Sequence, residues 1–505
     1  MLEERIRNPD LAARVMGADE AAARIGPGMG VAMSGFTGAG YPKAVPQALA
    51  RRMAAVQAEG GTFQVRVMTG ASTAPELDGA LAQVKGVQLR LPYQSDPILR
   101  ERINAGEVDY VDMHLSHVAQ SFTYGFYGDI DVAVVEVAGI LPDGRLIPST
   151  SIGNNKTWLD RADRVILEVN RALPLELDGM HDVYYGTQPP PGRTPLPLVE
   201  AGDRIGEPWL RCDPAKVVAV VETDAPDRNS PFAPPDATSQ AIAGHLVEFL
   251  RHEVAKGRLP KTLLPLQSGV GNTANAVMYG LADAGFSGLS AFTEVLQDGM
   301  LDLVQGGVID VASATALSFS PDALARFRDN IDFFRSRIVL RSQGISNHPE
   351  LIRRLGCLAM NAMIEADIYG NVNSTHIMGS KMQNGIGGSG DFARNGYLSF
   401  FLSPSTAKRG AISAIVPMVS HVDHTEHDVA VIVTEQGLAD LRGLAPRQRA
   451  KAIIANCAHP DFRDALTDYT ERAWRASFGR HTPHLLDEAL SWHQRFVETG
   501  NMRPG

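Results

Sequence analysis

Cysteine is nearly absent: three occur in 505 residues, Cys212, Cys357 and Cys457, far apart and without paired spacing. That excludes a disulfide framework and a cysteine-built zinc site, and it suits a reducing compartment. Long apolar runs are missing as well. Ala411 to Met418 and Val429 to Val433 are among the longest, and both fall well short of the ~18–20 residues that cross a bilayer. No membrane span is expected. The opening MLEERIRNPDL carries early acids and no apolar stretch behind a basic start, which argues against a targeting peptide and for a cytoplasmic home. Basic charge is in the minority. With 47 Lys and Arg against 57 Asp and Glu, the net charge of -10 works against nonspecific nucleic-acid binding, which rests on basic side chains neutralising phosphates. An anionic ligand has to find a local basic patch.

What is present is a globular balance, 44% hydrophobic and 21% charged residues, in a chain too long for one core. Short apolar runs (Val31 to Phe36, Phe63 to Thr69, Val87 to Leu91, Val132 to Val137, Val165 to Val169) alternate with helix-like stretches such as Tyr41 to Ala58 and Pro97 to Ala105. This is the rhythm of an α/β fold with a largely parallel sheet. The second half repeats it, with strand candidates at Leu263 to Leu266, Ser290 to Val295, Ile309 to Ala312, Ile338 to Arg341, Ala411 to Pro417 and Val429 to Thr434. Helical patterns at Gln240 to Lys256, Pro321 to Phe334 and Pro446 to Cys457 separate them. Between the halves, DAPDRNSPFAPPD carries four prolines that remove backbone donors, which places a boundary there and predicts domains over 1–225 and 226–505. A second proline cluster, Gln188 to Pro197, reads as a surface loop or a hairpin arm. Residues 132–150 and 361–375 both run from an apolar strand through a glutamate and a glycine turn to Ser-Thr; two related halves or two ordinary hairpins account for this equally well.

Several segments carry candidate chemistry. LQSGVGNTAN, 266–275, reads as a strand end, a glycine turn and a helix start, a geometry that points amides at an anion or a carbonyl oxygen; a tight turn needing glycine for its dihedrals is the plainer account. GIGGSGDF, 385–392, holds four glycines in six residues and suits either close backbone approach to a substrate or a surface loop. From His376 to Gly410 the charges Lys381, Arg394, Lys408 and Arg409 oppose only Asp391, so +4 - 1 = +3 in a chain of -10, a patch for a polyphosphate or a solvated face. Glu294, in SAFTEVLQDGM, lies at the end of a strand-like run, where open α/β sheets put their ligands. A glutamate is ionised at neutral pH and attacks an acyl carbon without a general base; an exposed or capping acid is the commoner role. Glu435, Asn347, Arg228, Ser72 and Thr73 are further polar candidates at strand ends and loops. HVDHTEHD, 421–428, crowds three histidines with acids but matches no strict zinc spacing, so a polar loop is expected there and no metal. Neither a G-x-S-x-G elbow nor a Walker loop occurs.

In chain order, GFTGAGYPK, TGASTAPELDG, DRNSPF, LPLQSGVGN, TEVLQDGM, MIEADIYGNVNST, GIGGSGDF, SPSTAK and VTEQGLADLRG resemble the acetyl-CoA hydrolase/transferase family over nearly the whole length. The resemblance implies two open α/β domains of the CoA-transferase type, an active site in the cleft between them, and a homodimer. It implies an enzyme that moves coenzyme A from succinyl-CoA or a similar short acyl-CoA to acetate, with CoA as substrate and covalent intermediate and no tightly bound cofactor. Glu294 matches the glutamate that carries CoA. Gly388 and Val270 match oxyanion donors, and Asn347 and Glu435 match active-site polar residues. Gly269, Val270, Gly271, Asn272, Thr273, Ile364, Asn384, Gly388 and Lys408 match positions lining the CoA site, most of it with the nucleophile in the second domain. Ser72 and Arg228 match contacts to the substrate carboxylate. Hydrolysis through the same intermediate, transfer to another acid such as propionate, and a CoA-binding protein without exchange activity are the competing readings.

Overall fold

The structure is a computed structural model that describes residues 2–229, 234–269 and 271–503. The chain forms two compact units, Met1–Pro231 with Ser290–Gln305 and Ile309–Leu351, and Phe232–Leu289 with Gly306–Val308 and Ile352–Gly505.

In the first unit the strands β1 (Gly30–Met33), β2 (Val65–Met68), β3 (Val87–Leu91), β4 (Asp109–Tyr110), β5 (Ile130–Ile140), β6 (Leu146–Pro148), β7 (Ala162–Asn170), β8 (His181–Asp182) and β9 (Val217–Thr223) follow along the chain. Seven of them lie in the order β4-β3-β2-β1-β5-β7-β9, and each neighbouring pair is parallel. Val31 to Met33 and Val132 to Val135 are fully buried, because helices cover a parallel sheet on both faces and its strands become unbroken apolar runs. The helix Ala44–Ala58 has no cap from its own side chains. Instead Glu168, on β7, accepts the N–H groups of Lys43, Ala44 and Val45, placing a carboxylate at the positive helix end.

Three later strands also belong to this unit's region. Leu289–Phe292, Ile309–Ala314 and Ile338–Arg341 lie side by side in that order, with β8 beyond them; Ile338–Arg341 is parallel to both Ile309–Ala314 and β8. A fully buried ion pair from Arg341 to Asp182 locks β8 to that strand. Residues 290–305 and 309–351, expected within 226–505, therefore cluster with the N-terminal unit. Glu294 and Asn347 go with them. The cause is pairing between residues more than 150 positions apart, which no local pattern encodes.

The second unit has its own parallel run: Val431–Thr434, Leu398–Leu402, Leu358–Ala362 and Leu266–Ser268 neighbour one another in that order, and Gly437–Asp440 closes one edge antiparallel to Val431–Thr434. The helix Ala237–Ala255 begins at Asp236, whose side chain accepts Ser239 N–H, as the sequence cap predicts. Pro321 to Phe334 is two helices, Pro321–Asp329 and Ile331–Arg335, broken at Asn330. The echo between 132–150 and 361–375 is a hairpin in each case, β5 with β6 and Glu365–Asp367 with Val372–Asn373. Each hairpin buries its glutamate, Glu136 and Glu365. Among the described residues no helix is long and apolar enough to cross a membrane.

Candidate active site

Parallel strands deliver their C-terminal ends to one edge, so the residues that follow them converge. In the first unit Glu294 follows Leu289–Phe292, Thr315 follows Ile309–Ala314, and the short helix Gln343–Ser346 follows Ile338–Arg341 and ends on Asn347. The Glu294 backbone carbonyl accepts N–H bonds from Thr315 at 2.8 Å and Ala316 at 3.2 Å. Its half-buried side chain accepts from Asn347 Nδ2 at 2.6 Å. Asn347 is fully buried, and its other amide atom accepts the Ser346 hydroxyl at 2.9 Å. The donor that faces Glu294 is thereby fixed in orientation, and a charge-assisted bond of this length holds the carboxylate in one rotamer.

Ser72 and Arg228 lie in the same unit, after β2 and β9. An apolar cluster joins Ala71, next to Ser72, with Val295, next to Glu294, through Phe36, Ala39, Leu115 and Ala316. Ser72 is buried, and its hydroxyl accepts from the Ser95 N–H and the Ser95 hydroxyl, both at 2.9 Å. Arg228 is two-thirds exposed and pairs with Glu76 at 2.9 Å. Glu76 sits in the π-helical turn Pro75–Gly79, a geometry often found at functional positions. The neighbouring residue anchors this stretch: Asp227 accepts from the Lys43 ammonium at 2.9 Å, from Gly40 N–H at 3.1 Å and from the Thr150 hydroxyl. Lys43 also reaches Glu136 at 2.6 Å. Burial opposes the ammonium charge, but Asp227 and Glu136 outweigh it and raise the Lys43 pKa. Gly38 has no room for a side chain, since a Cβ there would lie 2.1 Å from the Arg228 carbonyl oxygen.

The second unit brings a different set to the edge of its own sheet. Gly269 follows Leu266–Ser268 and donates to the Met360 carbonyl at 2.8 Å. Gly271 has φ +135 and caps the helix Asn272–Asp283, whose first residues are the exposed Asn272 and the half-buried Thr273; that dihedral favours glycine. Val270 lies outside the described residues. Ile364 follows Leu358–Ala362 and donates its N–H to Asn373. Glu435 follows Val431–Thr434 and accepts the Ser405 N–H at 2.7 Å, the Ser405 hydroxyl and the Gln436 amide at 3.0 Å. Burial pushes the Glu435 pKa up, but these donors together hold it below its ordinary value. Gly388 is buried and caps the helix Ser389–Asn395, which returns to Leu398–Leu402. Asn384 is half-buried just ahead of it, and Ser389 is tied to the buried His424 at 3.1 Å. Lys408 is exposed, has φ +47, and holds its ammonium 5.0 Å from the Phe496 ring.

Sequence reasoning had not singled out Glu76, Ser405, Thr315 or the Lys43–Glu136–Asp227 cluster. Lys43 ends the segment GFTGAGYPK, and a lysine after a glycine turn gives no sign of the two acids it meets.

Two α/β units each present polar residues at the ends of parallel strands, one of them carrying a carboxylate that accepts from a buried amide. Residues 1–222 match the acetyl-CoA hydrolase/transferase N-terminal domain and residues 324–470 the C-terminal domain of the same name. The chain belongs to the acetyl-CoA hydrolase/transferase family. It is 53% identical to the succinyl-CoA:acetate CoA-transferase of Clostridium kluyveri over 99% of its length and 92% of the relative's. It is 49% identical to the propanoyl-CoA:succinate CoA transferase of Escherichia coli over 96% of this chain and 98% of that one. Identity to the acetyl-CoA hydrolase of Schizosaccharomyces pombe is 43%, covering 100% and 99% respectively. Its fold is shared with RipA of Yersinia pestis at a TM-score of 0.71 and 24% identity, over 92% of this chain and 98% of that one.

Proposed function

We propose that this chain transfers coenzyme A from succinyl-CoA, or a similar short acyl-CoA, to acetate through a covalent thioester on Glu294. The observation that carries the reading is the 2.6 Å bond from Asn347 Nδ2 to Glu294 Oε1, which holds an ionised nucleophile in one orientation and spends no rotamer freedom at the moment of attack. A Glu294 oxygen adds to the acyl carbonyl carbon; the C–S bond breaks, giving an acyl-glutamyl anhydride and CoA thiolate. The thiolate then adds to the glutamyl carbonyl carbon and expels the donor acid as its carboxylate. Acetate reverses both steps. It displaces the thiolate to form a new anhydride, and the thiolate takes the acetyl group and frees Glu294. Acyl activation is conserved throughout, so no ATP is consumed.

Each addition creates an oxyanion. Gly388 N–H, with Val270, is the proposed donor pair, and removal of one such donor costs about 3 kcal/mol in the transition state. Gly269 to Thr273, Ile364, Asn384 and Lys408 are the proposed CoA contacts. Ser72 and Arg228 are proposed to hold the acid, in which case Arg228 exchanges Glu76 for substrate. Glu435 is a further proposed active-site group, and the working form is proposed to be a homodimer.

Identity to acetyl-CoA hydrolases favours one second reading, in which water takes the acyl group from the same intermediate. Isotope exchange decides between them. Transfer predicts that labelled acetate enters acetyl-CoA without net CoA release, and that release stays slow until an acceptor acid is added. Rapid CoA release with no acceptor, and no exchange of label, contradicts it.

A further inference from the structure

On the first unit a cavity of about 760 Å³, whose lining includes neither Ser72 nor Arg228, opens between the helix Leu115–Thr123, the helix Asn155–Arg161, the proline-rich stretch near Gln188 and the turn after Ile338–Arg341. Its size is that of a site for one small organic ligand. Asn154 and Ser342 line it. Asn154 is 2% exposed and Ser342 9%, yet neither amide atom of Asn154 nor the Ser342 hydroxyl has a hydrogen-bond partner among the described residues. A buried carboxamide lacking both bonds costs stability unless something supplies them.

The rim has the opposite character. Of its cations, Lys156 pairs with Asp160 at 2.7 Å and Arg211 with Glu207. Arg161 and Arg193 have no acidic partner among the described residues; Arg193 meets only the neutral oxygens of Gln120 at 3.1 Å and Gln188 at 3.3 Å. Two exposed guanidiniums therefore remain to take a phosphate, the anion their fork geometry fits best. Tyr124 and Tyr184, half-buried in the wall, add flat apolar surface. A carboxamide pairs with a head group that sets a donor beside an acceptor, as the edge of adenine does.

We propose that this cavity is an effector site for a nucleoside monophosphate, with the base edge on Asn154 and Ser342 and the phosphate on Arg161 and Arg193. Its floor connects to the catalytic carboxylate by short covalent and hydrogen-bonded steps. Gly153 N–H donates to the Thr315 hydroxyl at 3.0 Å, and Thr315 N–H donates to the Glu294 carbonyl at 2.8 Å. Gln343 N–H donates to the Gly153 carbonyl at 2.8 Å, and the helix Gln343–Ser346 it begins ends on Asn347. A ligand that orders Asn154 and Ser342 thus orders both supports of Glu294. The coupling rests on the role proposed for Glu294; the binding does not.

Calorimetry with AMP, adenosine and inorganic phosphate, each in the presence of saturating CoA to occupy the proposed active site, tests the assignment. AMP is expected to bind at least tenfold tighter than adenosine or phosphate, and the Arg161→Glu/Arg193→Glu variant is expected to lose at least tenfold in AMP affinity while exchanging acids normally without AMP. Asn154→Leu should lose the preference for AMP over phosphate; the arginine variant, changed only at exposed positions, keeps the test valid if that buried change unfolds the chain. Absence of AMP binding at millimolar concentration, displacement by CoA, or unchanged affinity in the arginine variant overturns the site. AMP binding retained in Glu294→Ala, with acid exchange in the native enzyme unmoved by AMP, overturns the coupling and leaves the site.

Discussion

Asn347 sets a buried amide donor against the Glu294 carboxylate at 2.6 Å. Truncation to alanine removes a charge-assisted bond to that carboxylate. Asn347→Ala is expected to lower kcat by about 10²-fold with little change in KM for acyl-CoA, since the lost interaction acts at the proposed nucleophile; a change confined to KM argues for a binding role instead. Gly38 works by its smallness. With the Arg228 backbone oxygen 2.1 Å from where a Cβ would stand, Gly38→Ala must displace the segment that carries Arg228. The expected result is a KM for the acid raised about tenfold at nearly constant KM for CoA. Equal increases in both would place Arg228 elsewhere in the reaction.

Among elements, the helix Ala237–Ala255 shows how a single carboxylate joins distant pieces. Glu253, buried near its C-terminus, meets Arg258 beyond the helix and, at 2.9 Å, Arg442 beyond the edge strand Gly437–Asp440. Burial pushes its pKa up, but the two guanidiniums outweigh burial and bring it down to about 2. A lowered pKa means that the folded state releases the proton more readily than the unfolded chain. The stabilisation is complete above the unfolded value of ~4.3 and fades as pH falls toward about 2. Denaturant unfolding of Glu253→Gln beside the native chain should therefore show a deficit at pH 6 that shrinks steadily between pH 5 and pH 3. A deficit independent of pH would mean that packing, not charge, is what the substitution removes.

The same scale shows what could be read in advance. Val87 to Leu91, Ile338 to Arg341 and Pro446 to Cys457 stand where apolar spacing and proline placement put them, because each is decided within a dozen residues. Ala411 to Pro417 looked like one strand and is two short pieces, Ile412–Ser413 and Ile415–Val416, each paired with a different neighbour. Hydrophobicity alone does not say which backbone a β-prone run will meet. Glu294 was legible as a strand-end carboxylate. Its partner Asn347, 53 residues on, stands out in the sequence only as one polar loop residue among several, since nothing local marks an amide as the one that will face an acid.

At the scale of the whole molecule, the chain belongs to the acetyl-CoA hydrolase/transferase family. Each unit carries its polar residues after parallel strands, the first with Glu294, Asn347, Ser72 and Arg228, the second with Gly269, Gly271, Ile364 and Glu435. The division of the chain between units was the least legible feature. Ile309–Ala314 and Ile338–Arg341 lie in the company of β8, and such a return leaves no trace in composition. The cavity around Asn154 was equally invisible, since it is assembled from four separated segments, each unremarkable in sequence.

The central claim is a covalent bond between CoA and one side chain, and mass spectrometry reads it directly. The protein is incubated with acyl-CoA and no acceptor, reduced with borohydride to trap the glutamyl thioester, digested and mapped. The account predicts reduction at Glu294 alone and an unmodified peptide in Glu294→Ala, which should also fail to exchange acids. Modification at another residue, or full exchange activity in Glu294→Ala, contradicts it.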